Sequence, residues 1–265
     1  MKYSEFDKRM KKYEFAARHY LTTRTPVIIR IDGKAFHTFT KGFQKPFDSI
    51  LADAMQETMK YLCENIQGCV LGYTQSDEIT LVLVDYKNID TSAWFDYNIQ
   101  KCASVTASMA TMAFNKHFKE LVETAIQFYD TETTVEGSLN FEPSIYTNHF
   151  DKAMFDARVF NIPKEEVCNN IYWRQQDAIR NSIQMLGRTY FSDRELHKKN
   201  TSQIKDMLVL EHGVNWDDIQ TRYKRGSCCV RNVEEQADRS NWIIDNEIPI
   251  FKAEGRQYVE DLIWI

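Results

Sequence analysis

Three carboxylates stand where metal chemistry would place them. The run Val27-Ile28-Ile29-Arg30-Ile31 leads straight into Asp32-Gly33. So short an apolar, β-branched run reads as a buried strand rather than a helix. Asp32 falls where that strand stops, so its carboxylate emerges at the end of a sheet, and Gly33 lets the backbone turn tightly and approach a ligand. A second acidic pair closes Gly72-Tyr73-Thr74-Gln75-Ser76-Asp77-Glu78. Here a strand from Cys69 to Thr74 reaches a short polar turn, and another leaves it from Ile79 to Val84. A hairpin tip with two acids, beside a strand ending in a third, offers donors for a pair of divalent cations. In nucleotide transfer such ions lie roughly 3.5–4 Å apart. Asp32 and Asp77 are the metal ligands on this reading. The Gly33 carbonyl adds a hard oxygen that suits magnesium, and Glu78 either coordinates or orients the shell.

Phosphate chemistry has candidates nearby. Lys34, Ala35, Phe36 and His37 follow the glycine, where such turns point backbone N–H groups at an anion. His37 has no metal partner in the sequence and reads as a structural histidine or a phosphate contact. Lys45 precedes a proline that fixes it, as a phosphate clamp or a solvated lysine. Ser76 is a turn residue or a hydroxyl donor to a phosphate oxygen. No nucleophile or triad stands out.

These residues need a sheet to hold them. Lys2 to Leu21 has the spacing of an amphipathic helix, with Phe6, Met10, Tyr13 and Ala17 on one face. The loop 34–47 follows the first strand, and Asp48 to Ile66 reads as a helix with Asp48 at its N-cap. A long helix is predicted over Thr91 to Phe118, its small residues (Ala103, Ser104, Ala107, Ser108) allowing close packing on a sheet. Residues 120–150 read as an insertion, with Tyr129 to Gly137 a polar loop. Met154 to Phe160 alternates as a strand, with Asp156 and Arg158 sharing one face. The order strand, helix, strand, strand, helix, strand is the split pattern of ferredoxin-like α+β domains, an antiparallel polymerase-palm-type sheet with helices packed on it. Pro163 suits a helix start. The helix runs to Leu186 with Trp173, Ile179 and Ile183 inward, and Gly187 ends it. Short helices follow at Ser192 to His197 and at Thr201 to Leu210, the second capped by Thr201 or Ser202. A palm-like catalytic domain over 1–162 and a helical, basic region over 163–265 form one continuous unit.

Composition sets outer bounds. No apolar run approaches the roughly 20 residues of a membrane helix, and Met1 to Lys8 lacks the apolar core of a secretory signal, so the expected compartment is the cytoplasm. The six cysteines show no C-x-x-C spacing and read as buried free thiols. A net charge of −5 argues against nucleic acid as a partner. Local clusters work the other way: Lys198, Lys199 and Lys205, then Arg222, Lys224 and Arg225.

Several segments together resemble the tRNA-His guanylyltransferases and their bacterial, archaeal and phage relatives, the guanylyltransferase-like 3′–5′ polymerases. They are Arg30-Ile31-Asp32-Gly33 with Phe36-His37, Lys45-Pro46 with Asp48, and Gln75-Ser76-Asp77-Glu78. Further on stand Phe155-Asp156-Ala157-Arg158-Val159, Tyr172-Trp173-Arg174-Gln175-Gln176-Asp177 with Asn181, and Arg222-Tyr223-Lys224-Arg225-Gly226. They occur in family order over roughly residues 5 to 230. The resemblance implies addition of nucleotides to the 5′ end of tRNA with two Mg2+ ions per active site. ATP or GTP first activates the 5′-phosphate, and the 3′-hydroxyl of an incoming nucleotide then attacks. It also implies a homotetramer. Lys101 and Ser104, one helical turn apart, then contact a second nucleotide or solvent. Arg174, Asn181, Lys198, Lys199, Arg222, Lys224 and Arg225 are the only basic and polar grouping large enough for tRNA. Relatives dedicated to tRNA-His carry His-Ile-Asn-Asn where this chain has Ile179-Arg180-Asn181-Ser182. That departure points to the branch that repairs 5′ ends on a template. The competing readings are another palm-type enzyme, such as a nucleotide cyclase, and a non-catalytic RNA-binding module.

Overall fold

The computed structural model describes residues 4–131, 142–232 and 241–264. The sheet is built on β1 (Val27–Gly33), whose apolar residues alternate between two covered faces. It pairs antiparallel with β3 (Glu78–Leu83) on one side and with β4 (Phe155–Asn161) on the other. Strand β2 (Cys69–Gln75) joins β3 in the expected hairpin. Two strands from the C-terminal third, β5 (Ser227–Arg231) and β6 (Trp242–Asp245), extend the same sheet beyond β2, giving the order β4-β1-β3-β2-β5-β6. The run Cys228-Cys229-Val230 reads from sequence as a short strand and lies in β5, whereas β6 is not foreseen.

Helices cover both faces. Helices α3 (Ser49–Asn65) and α4 (Ile99–Thr131) lie on one, packing Met55, Met59, Leu62, Phe114 and Phe118 against Val27, Ile29 and Ile31. Helix α6 (Lys164–Tyr190) lies on the other, packing Val167, Cys168 and Ile171 against Ile28, Tyr73 and Val82, with Ile248, Phe251 and Val259 of the tail. The Asp48 side chain accepts the Leu51 N–H at 2.8 Å, capping α3 as expected. All six cysteines are buried free thiols. Among the described residues, no helix is long and apolar enough to cross a membrane.

Several expectations are corrected. Helix α1 (Glu5–Ala16) is shorter than predicted and buries nothing, with Phe6 60% and Tyr13 72% exposed. Within the 34–47 loop lies a single turn, α2 (Phe36–Phe39), drawn in by Phe36 and Phe39. Helix α4 starts at Ile99, after a one-turn helix at Trp94–Tyr97, and continues through Tyr129 to Thr131, where a loop was expected. Residues 132–137 of that expected loop lie outside the described residues. Helix α5 (Pro143–Thr147) leads the chain back, with Tyr146 buried. Gly187 does not end α6. It sits inside that helix, where a Cβ would meet Ile204 Cγ2 at 2.8 Å, so the glycine serves close packing of α8 (Thr201–His212). Asn200, rather than Thr201 or Ser202, caps α8. Trp173 is 52% exposed, whereas Ile183 is buried as expected.

Candidate active site

Two strand ends and a turn bring the acids together. Asp32 in β1 stands opposite Glu78 in β3 and Asp156 in β4. Gln75 pairs with Glu78, so the hairpin turns on Ser76 and Asp77 alone. Ser76 sits in the left-handed region at φ 51°, a conformation uncommon for a residue with a Cβ. The Gly33 N–H donates to the Asp77 carbonyl at 3.0 Å, tying the end of β1 to the hairpin tip. The reason for glycine at 33 is close approach, since a Cβ there would lie 2.3 Å from the Phe36 ring.

Asp32, Gly33, Ala35, Phe36, His37, Lys45, Ser76 and Asp77 all line one cavity of about 420 Å³. Phe36 does so from the core, its ring packed against Phe39, Phe114 and Phe155. The N–H groups of Gly33 and Lys34 are used, the latter donating to Met154 O at 2.8 Å. Those of Ala35, Phe36 and His37 have no protein acceptor among the described residues, as a phosphate cradle requires. Tyr146 was missed by sequence reasoning. It stacks on Phe43 at 4.7 Å and donates its hydroxyl to Asp48 Oδ2 at 2.6 Å, while that same oxygen accepts the Gln44 N–H. The loop carrying Lys45 is thus anchored from α5. Asp48, Leu51, Ser76 and Met185 also border a smaller hollow of about 100 Å³ lined by Asn181, Arg222 and Tyr223.

Burial raises the carboxyl pKa of both Glu78 and Asp77, and of these two Asp77 is the one that lines the cavity. Burial pushes its carboxyl above the ordinary aspartate value, and the Asp32 charge adds to this. The Ser76 hydroxyl, 3.0 Å from Asp77 Oδ1, opposes the shift. Arg158 lies 3.9 Å from Asp32 and 3.3 Å from Asp156, so Asp156 and Arg158 pair on their shared face. Glu78 shares the sheet face of Asp32 but is taken up by α6. Its two oxygens accept from Arg174 Nε at 2.6 Å and Nη2 at 2.7 Å, and it does not line the cavity. Burial works against the Arg174 charge, but the Glu78 contact prevails and holds the guanidinium above its ordinary pKa. Of the expected three acids, two are left facing the cavity.

A family model described as tRNAHis guanylyltransferase (Thg1) matches residues 7–163. The chain belongs to the Thg1 family. A bacterial tRNA(His) guanylyltransferase (Thg1)-like protein solved in complex with ATP is 40% identical, with a TM-score of 0.82 over 98% of this chain and 100% of that one. One solved with GTP is 39% identical, with a TM-score of 0.78 over 99% and 100%. The tRNA(His) guanylyltransferase of Debaryomyces hansenii is 25% identical, covering 83% of this chain and 79% of its own. The chain is therefore an enzyme of the Thg1 nucleotidyltransferase type, and its antiparallel sheet with packed helices is the Thg1-like fold.

The remaining expected contacts of this Thg1-family chain divide. Lys101 lies over the Phe95 ring at 4.3 Å, and Ser104 borders a separate groove with Tyr61 and Met112, so neither joins the cavity. Arg174 is only 9% exposed and held by Glu78 and Asp177, which places it inside the protein rather than on an RNA-facing surface. Arg222 pairs with Asp53 at 2.6 Å, Lys224 donates to Asp217 O at 2.5 Å, and Arg225 Nε donates to Ile248 O at 2.9 Å. These three knit α9 (Thr221–Arg225) to its neighbours and are not a free basic patch. Asn181, Lys198 and Lys199 are exposed.

Proposed function

We propose that the enzyme adds nucleotides to the 5′ end of tRNA in the 3′–5′ direction, choosing each by pairing with the opposite strand, in the cytoplasm. The observation that carries this reading is the Asp32 and Asp77 pair at a cavity with a free N–H cradle. The ATP and GTP bound by its Thg1-like neighbours supply the substrate class. A divalent cation fits the donors. The Asp32 and Asp77 carboxylates and the Gly33 carbonyl are hard oxygens. Among the described residues, no three His, Cys, Asp or Glu side chains form a closed cage. Such a sparse set suits magnesium, which keeps waters and substrate phosphates in its shell. When bound, the cation lowers the pKa of an attacking hydroxyl and neutralises charge on the triphosphate and the departing pyrophosphate.

The chain's own residues do the rest. The N–H groups of Ala35, Phe36 and His37 receive triphosphate oxygens, and Lys45 adds a positive charge across the cavity. Ser76 turns its hydroxyl from Asp77 to a phosphate oxygen. First the tRNA 5′-phosphate attacks the α-phosphate of ATP or GTP, releasing pyrophosphate. The 3′-hydroxyl of the incoming nucleotide then attacks the activated 5′-phosphate, releasing the nucleoside monophosphate.

The test is incubation with labelled nucleoside triphosphate, magnesium and 5′-truncated tRNA. The expected result is 5′ extension by the wild type and none by Asp32→Ala or Asp77→Ala, both with native circular dichroism. A cyclic nucleotide product, no product, or substantial turnover by either variant at saturating magnesium overturns the reading.

A further inference from the structure

We propose that Arg174 is a positioning residue for this reaction, setting Asp77 by clamping the neighbouring Glu78 to α6. The inference rests on the nucleotidyl-transfer reading of the Asp32 and Asp77 site. It starts from the hairpin turn, where Ser76 at φ 51° holds a conformation that residues with a Cβ rarely adopt. A turn of this kind stays put only where its flanks are held. On the β1 side the Gly33 N–H bonds to the Asp77 carbonyl at 3.0 Å. On the other side Arg174 grips both oxygens of Glu78, the residue directly after Asp77, at 2.6 and 2.7 Å. Glu78 has 6% exposure and Arg174 has 9%, so water does not loosen the grip.

The clamp reaches past the turn. Arg174 Nη2 also donates to Asp177 Oδ2 at 3.0 Å, and Asp177 Oδ1 accepts from Arg180 at 2.8 Å. One charge network thus joins the hairpin that carries Asp77 to the segment of α6 that presents Arg180 and Asn181. A buried ion pair adds little net stability against its desolvation cost, and its best-attested use is to fix one geometry. The planar guanidinium suits that use, because its two parallel donors fix orientation where an ammonium fixes only distance.

The experiment compares Arg174→Lys, Arg174→Met, Glu78→Gln and the Arg174→Met/Glu78→Gln double variant with wild type. It reads Mn2+ affinity by electron paramagnetic resonance, kcat and KM for nucleotide addition, and folding by circular dichroism. Groups that orient metal ligands cost about 10–100-fold in affinity or activity when removed. Arg174→Lys and Glu78→Gln should each lose Mn2+ affinity and kcat in that range, with the nucleotide KM changing less and the fold intact. The double variant should be no worse than the poorer single one. Should Arg174→Met fail to fold, Arg174→Lys, which keeps the charge and loses the fork, carries the comparison with Glu78→Gln. Folded Arg174→Lys and Glu78→Gln proteins with wild-type Mn2+ affinity and kcat overturn the proposal, as do losses that multiply in the double variant. The Mn2+ readout needs no tRNA. A wild-type protein that binds Mn2+ but extends no tRNA sinks the functional reading and leaves this one standing on affinity alone.

Discussion

Asp77 is held in a place that suits function better than stability. Burial and the Asp32 charge raise its folded pKa above the unfolded value. A carboxyl shifted that way favours folding when protonated, and the benefit is lost as pH rises through the folded pKa. At neutral pH the ionised group therefore counts against the metal-free fold. Asp77→Asn should melt higher than wild type at pH 7 in chelator, and the difference should shrink as pH falls below the ordinary aspartate range. Added Mg2+ should raise the wild-type melting temperature more than the variant's. A variant that melts lower than wild type in chelator would show that burial is not the governing cost. Both acids are legible in the sequence, because a β-branched run and a hairpin turn fix their places from local pattern. Arg174 is not legible. Its partner lies 96 positions away in the chain, and the arginine reads as an RNA contact until the fold joins the two.

At the level of elements, periodicity names most helices and strands, while the direction in which polar side chains point depends on what packs there. Arg222, Lys224 and Arg225 form the densest basic run of the C-terminal third, yet each donates to a carboxylate or carbonyl of its own protein. Lys198 and Lys199, between α7 (Asp193–Leu196) and α8, are exposed and form no salt bridge among the described residues. A cation that neutralises an RNA phosphate releases counterions, so the salt slope reports how many phosphates are neutralised. Lys198→Ala/Lys199→Ala should weaken tRNA binding and flatten the log-log salt dependence by roughly 0.7–0.9 for each phosphate left without its lysine, with no change in melting temperature. Arg222→Ala should instead lower the melting temperature, because Asp53 is left without its partner. Filter binding across a salt series, with melting curves on the same preparations, separates the two behaviours. A wild-type slope in the double lysine variant would move the RNA elsewhere.

Across the whole molecule, the sheet joins what the sequence divides near residue 162, because β5 and β6 lie beside β2. The end of α6 that flanks the cavity comes from the later part, so residues from both parts line one cavity. The Ile179-Arg180-Asn181-Ser182 segment lies on that stretch. Ile179 packs with Ile183, Leu186 and Trp216 and offers no donor or acceptor. Ser182 is buried, accepting from Trp216 Nε1 and donating to Lys224 O, each at 3.1 Å. Arg180 is paired with Asp177 at 2.8 Å. Ser182 and Asn181 both line the hollow beside the site, but the Ser182 hydroxyl is taken, whereas the Asn181 amide has a long 3.4 Å contact to Asp177. Single-stranded RNA is read base by base through hydrogen bonds and stacking, and one amide is too little to read an anticodon. Choice of nucleotide should then pass to Watson–Crick pairing with the opposite acceptor strand. The measurement compares truncated tRNA-His with another truncated tRNA, each with matched and mismatched template bases. The expected outcome is addition of the pairing nucleotide on both tRNAs, with little dependence on the anticodon. Guanosine added regardless of the opposing base, or a strong preference for the tRNA-His anticodon, would instead assign the chain to the dedicated guanylyltransferases. Some group other than residue 179 would then have to supply the recognition that their histidine marks.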